Sequence, residues 1–150
     1  MRYLGVDLGE RRVGLAISDP LGLTARGLET LDCQGHNWEE IWHKIKELVE
    51  EWEVGQVVVG LPKNMNGTLG PQGKNAQEFA AGLEKVLPPT VGVVMWDERL
   101  TTVAAERGLV EADLSRKRRK NIIDQVAAAL ILEGYMRYQK NATERVKNDE

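Results

Sequence analysis

The chain has 150 residues, 42% of them hydrophobic, and a formal net charge of −3. That supplies one buried core rather than two and argues against wholesale disorder. No run approaches the ~20 apolar residues that span a bilayer, and a single cysteine, Cys33, excludes an intrachain disulfide or a Cys-rich zinc site. The opening residues, interrupted early by Asp7, do not read as a signal peptide. A soluble cytoplasmic domain is expected, and the acidic total speaks at first against a nucleic-acid partner.

Residues 2–8 read as a strand that ends on the carboxylate Asp7, followed by a tight turn at Gly9 to Arg12. Val13 to Ser18 is a second strand with bulky Val13, Leu15 and Ile17 on one face and small Gly14, Ala16 and Ser18 on the other. Asp19-Pro20-Leu21-Gly22 is turn chemistry, and a third strand is expected over 23–31. Asn37 with Glu40 resembles a capping box, and Trp38, Ile41, Trp42, Ile45, Leu48, Val49 and Trp52 recur at helical spacing. The apolar run 56–61 is a doubly buried strand, and 62–73 a Gly- and Asn-rich loop. Ala76 to Leu87 forms a helix stopped by Pro88-Pro89, and 91–96 a further buried strand ending at Asp97-Glu98-Arg99. Thr101 or Thr102 can cap a short helix to about Val110. The basic run Arg116 to Lys120 leads into a final helix over about 121–138, and the polar residues after Lys140 are expected to fray. Antiparallel hairpins followed by right-handed crossovers predict an α/β fold, a mixed five-stranded sheet with helices on both faces.

Acidic residues stand at telling places in this pattern. Asp7 ends the first strand, Asp97 and Glu98 follow the last, and Asp124 begins the helix stripe of Ala127, Ala128, Ile131, Leu132 and Tyr135. A carboxylate at the edge of a buried face is costly unless it is paired or binds a cation. Carboxylates brought together from two strand ends and a helix would suit Mg²⁺ or Mn²⁺ and phosphodiester cleavage. On spacing alone, structural roles stand equally open. Asp7 can serve as a turn residue, Glu98 as a partner of Arg99, and Asp124 as a first-turn acid favoured by the helix dipole.

These residues also carry a resemblance. Asp7-Leu8-Gly9, Arg12 through Asp19, Val59-Gly60-Leu61-Pro62, Asn66-Gly67, Asp97 through Thr102 and Asp124 through Leu132, in that order, strongly resemble the YqgF/RuvX family. The match runs from about Met1 to Tyr138. The resemblance implies a ribonuclease H-like fold with strand order 3-2-1-4-5. It implies a metal-dependent nuclease that trims the 5′ end of the small-subunit ribosomal RNA precursor, resolves Holliday junctions, or both. Asp7, Glu98 and Asp124 carry over as the catalytic and metal-binding acids, holding two Mg²⁺ or Mn²⁺ ions. Glu98 is favoured over Asp97, because successive strand residues face opposite ways and Asp97 suits a turn cap.

Several basic and polar residues are candidates for substrate contact. Arg116, Lys117, Arg118, Arg119 and Lys120 adjoin the proposed site, though such a run can be a solvated loop. Lys63 and Asn66 lie in a loop read as mobile, where the Walker phosphate-loop pattern fails. Arg12 and Arg99 suit phosphate binding or simple pairing with neighbouring acids. The small face of Gly14, Ala16 and Ser18 points mainly to close helix packing, and the tryptophans to core rather than to base stacking. His36 and His43 are not nominated as general bases. The expected protein is a nuclease domain over 1–139 with a flexible tail over 140–150. Its expected partners are structured RNA or branched DNA and ribosomal precursor particles, and it acts as a monomer or homodimer away from membranes. The alternative is a nucleic-acid-binding assembly factor with weak or no catalysis.

Overall fold

The structure, a computed structural model, describes residues 1–33, 37–100 and 116–148, with the side chains of 116–121 and 147–148 left aside. Strands β1 (Arg2–Leu8), β2 (Arg12–Ser18) and β3 (Ala25–Asp32) open the chain. They are followed by α1 (Trp38–Glu51), β4 (Val54–Leu61), α2 (Pro71–Val86), β5 (Gly92–Asp97), a 3₁₀ turn over Glu98–Leu100, and the long helix α3 (Arg116–Asn148). The sheet order is β3-β2-β1-β4-β5, as expected. The two hairpin pairings are antiparallel, and β1–β4 and β4–β5 are parallel.

Strand alternation sorts the side chains onto two different faces. Leu4, Val6, Val13, Leu15, Ile17, Val57 and Val59 face α1 and α2, where Ile41, Ile45, Leu48, Phe79 and Leu83 complete the larger core. Ala16, Val58 and Trp96 face α3 and meet Ala127, Ala128, Ile131, Leu132, Tyr135 and Met136. Small residues dominate the α3 side because this helix comes very close. A methyl group at Gly14 would lie 2.1 Å from the carbonyl oxygen of Asp124, and one at Gly5 2.7 Å from that of Ala128. Close helix packing is therefore what the small face of β2 provides. The Ser18 hydroxyl is occupied structurally, accepting from the Tyr3 amide at 2.8 Å and donating to its neighbour's carbonyl, Asp19 O, at 2.9 Å.

Local chemistry shapes the connections. In the β2–β3 hairpin, the Asp19 carboxylate accepts the amides of Leu21, Leu23 and Thr24 at 3.1, 2.6 and 2.7 Å, and Gly22 takes φ +69°. These amides, Thr24 first, hold the Asp19 carboxyl below its ordinary value. Trp38, Trp42 and Phe79 form an aromatic cluster with ring centroids 5.6 to 6.1 Å apart. Trp52 is faced by the guanidinium groups of Arg2 and Arg26 at 5.3 and 5.5 Å.

The structure departs from expectation at several boundaries. Asn37 stands at the N-cap of α1 without a side-chain capping bond, so the capping box does not form and burial of Ile41, Ile45, Leu48 and Val49 holds the helix. Helix α2 starts earlier than expected, at Pro71, because proline lacks the N–H that the first helical position leaves unused. The basic run Arg116–Lys120 is already helical backbone. A run of like charges repels itself, which is why this stretch can read as a solvated loop in sequence. The polar residues after Lys140, expected to fray, continue the helix to Asn148, and the Thr143 hydroxyl donates to the Gln139 carbonyl at 3.0 Å. Lys, Gln, Glu, Ala and Arg are good helix formers, so polarity alone does not end the helix. The short helix expected after Thr101 and Thr102, and His36, lie outside the described residues. Among the described residues no helix is long and apolar enough to cross a membrane.

The Gly14 contact is directly testable. The obstacle to a methyl group there is backbone rather than a flexible side chain. Overpacking should therefore outweigh the entropic gain of replacing a strand glycine. Gly14→Ala is expected to destabilise the fold by about 1–3 kcal/mol in urea denaturation. An unchanged midpoint would contradict the close approach of α3.

Candidate active site

The site is built at the end of the sheet where β1 finishes. Asp7 is buried, 6% exposed, and its register partner across the hairpin is Gly14. On its other side the parallel pairing reaches Val6↔Val59, so one further step brings Asp7 beside Gly60. Asp7 and its two glycine neighbours belong to the face covered by α3, since Gly5 and Gly14 meet α3 backbone and Gly60 meets Ile131.

At each glycine, the place a side chain would take is crowded by another acid. The Cβ of Asp124 lies 2.9 Å from where a Gly14 methyl would stand, and Glu98 Oε1 lies 2.7 Å from the corresponding point at Gly60. Asp7 thus sits between Asp124 and Glu98 on one sheet face. The two flanking strands are separated by two inter-strand spacings, roughly 10 Å. This spread agrees with the absence, among the described residues, of any group of three acidic, histidine or cysteine side chains close enough to hold a metal ion. The three predicted acids are brought to one face but not drawn into a closed cluster.

Asp124 is engaged by a cation of the chain itself. Arg12 Nε donates to Asp124 Oδ2 at 2.7 Å, with the two side chains 33% and 15% exposed. Arg12, a candidate for phosphate contact or for pairing with an acid, is here paired with an acid of the site. Arg99 does likewise with Asp97: its backbone amide donates to Oδ1 at 2.9 Å, its Nε to Oδ1 at 3.1 Å and its Nη2 to Oδ2 at 2.8 Å. Asp97 therefore caps the turn after β5, while its neighbour Glu98 reaches the face of Asp7. Arg99, followed by the more distant Lys63 at 4.0 Å, holds the Asp97 carboxyl below its ordinary value, and Asp97 raises Arg99 in turn.

Arg99 also anchors the loop between β4 and α2. Its Nη1 donates to the Met65 carbonyl at 3.3 Å, and more weakly to that of Asn64 at 3.5 Å. The loop read as mobile from sequence is internally braced. Asn66 Oδ1 accepts the Thr68 amide at 3.1 Å and hydroxyl at 2.6 Å, Asn64 Nδ2 donates to the Thr68 hydroxyl at 2.9 Å, and Gly67 takes φ +86°. Asn66, predicted to touch substrate, is thus committed to building the turn. Lys63 remains at the rim, 29% exposed, and the loop tip carries the solvent-facing Met65.

The basic residues Arg116 to Lys120 occupy the helical turns immediately before Asp124. At 1.5 Å per residue, Lys120 is about 6 Å and Arg116 about 12 Å along the axis from Asp124. Sequence reasoning missed Gly60 as the position beside Asp7 onto which Glu98 packs, and the Arg12–Asp124 pair. The first was signalled only by a glycine ending an apolar strand. The second spans 112 positions and has no local signature.

A mixed sheet of order 3-2-1-4-5, with acids on one face at the end of its first strand beneath its last helix, defines a ribonuclease H-like fold. Solved structures agree. RuvC of Thermus thermophilus in complex with a Holliday junction substrate superposes with TM-score 0.55 at 18% identity, covering 93% of this chain and 96% of that one. The fowlpox virus Holliday junction resolvase gives 0.54 at 15% identity, covering 92% and 99%. The family model described as RuvX, Holliday junction resolvase, matches residues 1–138, and the chain belongs to that family. Curated proteins of Bacillus thuringiensis (strain Al Hakam) and Bacillus cereus (strain AH187), each named "Putative pre-16S rRNA nuclease", are 52% identical over 136 residues, covering 91% of this chain and 98% of theirs.

The Asp97–Arg99 pair has a pH signature. Because the folded-state pKa of Asp97 is depressed, its stabilisation is present above the unfolded value of 3.8 and is lost as pH falls through the lower folded value. In Arg99→Gln, an NMR titration should show the Asp97 carboxyl rising back toward 3.8. A titration unmoved by the substitution would contradict the pairing.

Proposed function

We propose that the protein is a metal-dependent nuclease that hydrolyses phosphodiester bonds in structured nucleic acid, acting in the cytoplasm on the 5′ end of the small-subunit ribosomal RNA precursor. The observation that carries this reading is the placement of Asp7, buried between two glycines, with Asp124 bordering one and Glu98 the other. Membership of the RuvX family and the name carried by the 52% identical relatives support it. Branched DNA is the second substrate class, favoured by the description of the family model. Symmetric cleavage of a four-way junction would require two copies of the chain.

The donor chemistry fits a hard divalent cation: three carboxylates from β1, the turn after β5 and α3, and no soft ligand among them. Asp7, Glu98 and Asp124 would hold one or two Mg²⁺ or Mn²⁺ ions, with Asp7 central. When bound, such ions stabilise negative charge on phosphate oxygens and lower the pKa of water. The chain's own residues do the rest. Gly14 and Gly60, having no side chains, let Asp124 and Glu98 come in close on either side of Asp7. Lys63 at the rim and the basic residues from Arg116 to Lys120 in the turns before Asp124 provide a positive border for the nucleic-acid backbone. The nuclease domain occupies residues 1–139 in this reading.

A second reading, a nucleic-acid-binding assembly factor of little catalytic power, is favoured by one observation: Asp124 is held by Arg12 and the three acids form no closed cluster. One experiment separates the two. Purified protein with Mg²⁺ or Mn²⁺ is expected to cleave precursor ribosomal RNA, measured beside a matched DNA junction, and Asp7→Asn should lower the rate on the order of 10²-fold or more. Equal rates for the two proteins would remove the nuclease assignment. Tight, salt-sensitive binding without turnover by either would establish the binding factor.

A further inference from the structure

Arg12 is placed where an inorganic cation would have to work. Its backbone is fixed at the start of β2, where its carbonyl accepts the Gly9 amide at 2.9 Å across a tight turn. Asp124 is equally constrained, because its main chain is pressed onto Gly14. The carboxylate can therefore change partner only by rotating its side chain. In the direction it now takes, it meets Arg12 Nε at 2.7 Å. Turned from β2 toward β1 instead, it would approach Asp7, the register partner of Gly14.

We propose that Arg12 is a positioning residue that serves as the resident counter-cation of Asp124, so that a divalent cation entering beside Asp7 must compete with its guanidinium for the same carboxylate. This rests on the nuclease reading of the site. The physical reason for such an arrangement is charge. Asp7 and Asp124 share one sheet face, and like charges there destabilise the fold unless compensated. The guanidinium supplies compensation before any ion binds. It also keeps the pair weak enough to exchange, since a partly exposed ion pair is only marginally stabilising. Release from Arg12 would free the Asp124 carboxylate to turn toward Asp7.

Cation binding itself provides the test, without substrate or turnover. Mn²⁺ affinity measured by calorimetry on the full chain should rise two- to fivefold in Arg12→Gln, the range set by a partly exposed pair. It should stay near the wild-type value in Arg12→Lys, which keeps the charge. Arg11→Gln, which removes the same charge one residue away, should change affinity less than Arg12→Gln. In ¹⁵N-resolved NMR, saturating Mg²⁺ should shift the Arg12 Nε–H resonance and speed its exchange with water, toward the behaviour seen in Asp124→Asn without any cation. Thermal denaturation of each variant establishes that it is folded. If Mn²⁺ binds in an Asp7-dependent manner but Arg12→Gln gains no affinity, or the Arg12 Nε–H stays protected at saturation, the counter-cation role is overturned and the nuclease reading stands. Equal gains from Arg11→Gln and Arg12→Gln overturn it too, leaving only a diffuse field. Absence of Asp7-dependent binding in both wild type and Arg12→Gln overturns the site reading and this inference together.

Discussion

The contact on which the rest of the structure depends is the approach of α3 to the sheet at Gly5 and Gly14. Where two backbones meet with no side chain between them, the helix has little freedom to slide or rotate. The alanines at 127 and 128, fully buried, continue the same close seam. Because the seam starts at Asp124, it sets that carboxylate against the hairpin partner of Asp7, although 117 positions separate the two acids in the chain. The opposite face of the sheet has no such requirement. There, large side chains of β1, β2 and β4 fill the space beneath α1 and α2.

Electrostatics at this end of the molecule is local. Asp97 and Asp124 each have an arginine partner in the structure, and five basic residues lead into Asp124 along α3. A net charge of −3 is therefore a poor guide to how the chain meets a polyanion. What counts is the arrangement of charge within a Debye length of the site, about 8–10 Å at physiological salt. On that scale Asp124 and Asp97 each lie against an arginine, and the acids are the groups a divalent ion would neutralise.

Much of the fold was legible in the chain because its signals are periodic. The split of β2 into bulky and small faces announced both the core and the helix-packing surface. The apolar run of β4 announced a doubly buried strand, whereas β5, expected to be buried as well, lies at the sheet edge with only Trp96 buried. Boundaries were less legible where two local signals conflict. Arg116 to Lys120 is a self-repelling run of like charge yet is helical, and the run after Lys140 is polar but made of good helix formers. Asn37 and Glu40 match a capping box by letter and do not form one. In the site, Asp97 turns to Arg99 while Glu98, already in the turn after β5, reaches Gly60, and spacing alone could not show which cations the acids would find.

By itself the sequence determined the element order, the parallel and antiparallel pairings that follow from it, and the set of acids available at the strand ends. Periodicity and connection length are properties of neighbouring residues, and those survive in one dimension. Only the tertiary structure decided which groups meet. It placed Asp7 between Gly14 and Gly60, turned Glu98 onto the face of α3, left Asp97 to cap a turn with Arg99, and gave Asp124 to Arg12. Such pairings join residues as far as 112 positions apart. They are selected by the distance and direction at which a folded backbone presents each side chain, and no local pattern encodes either.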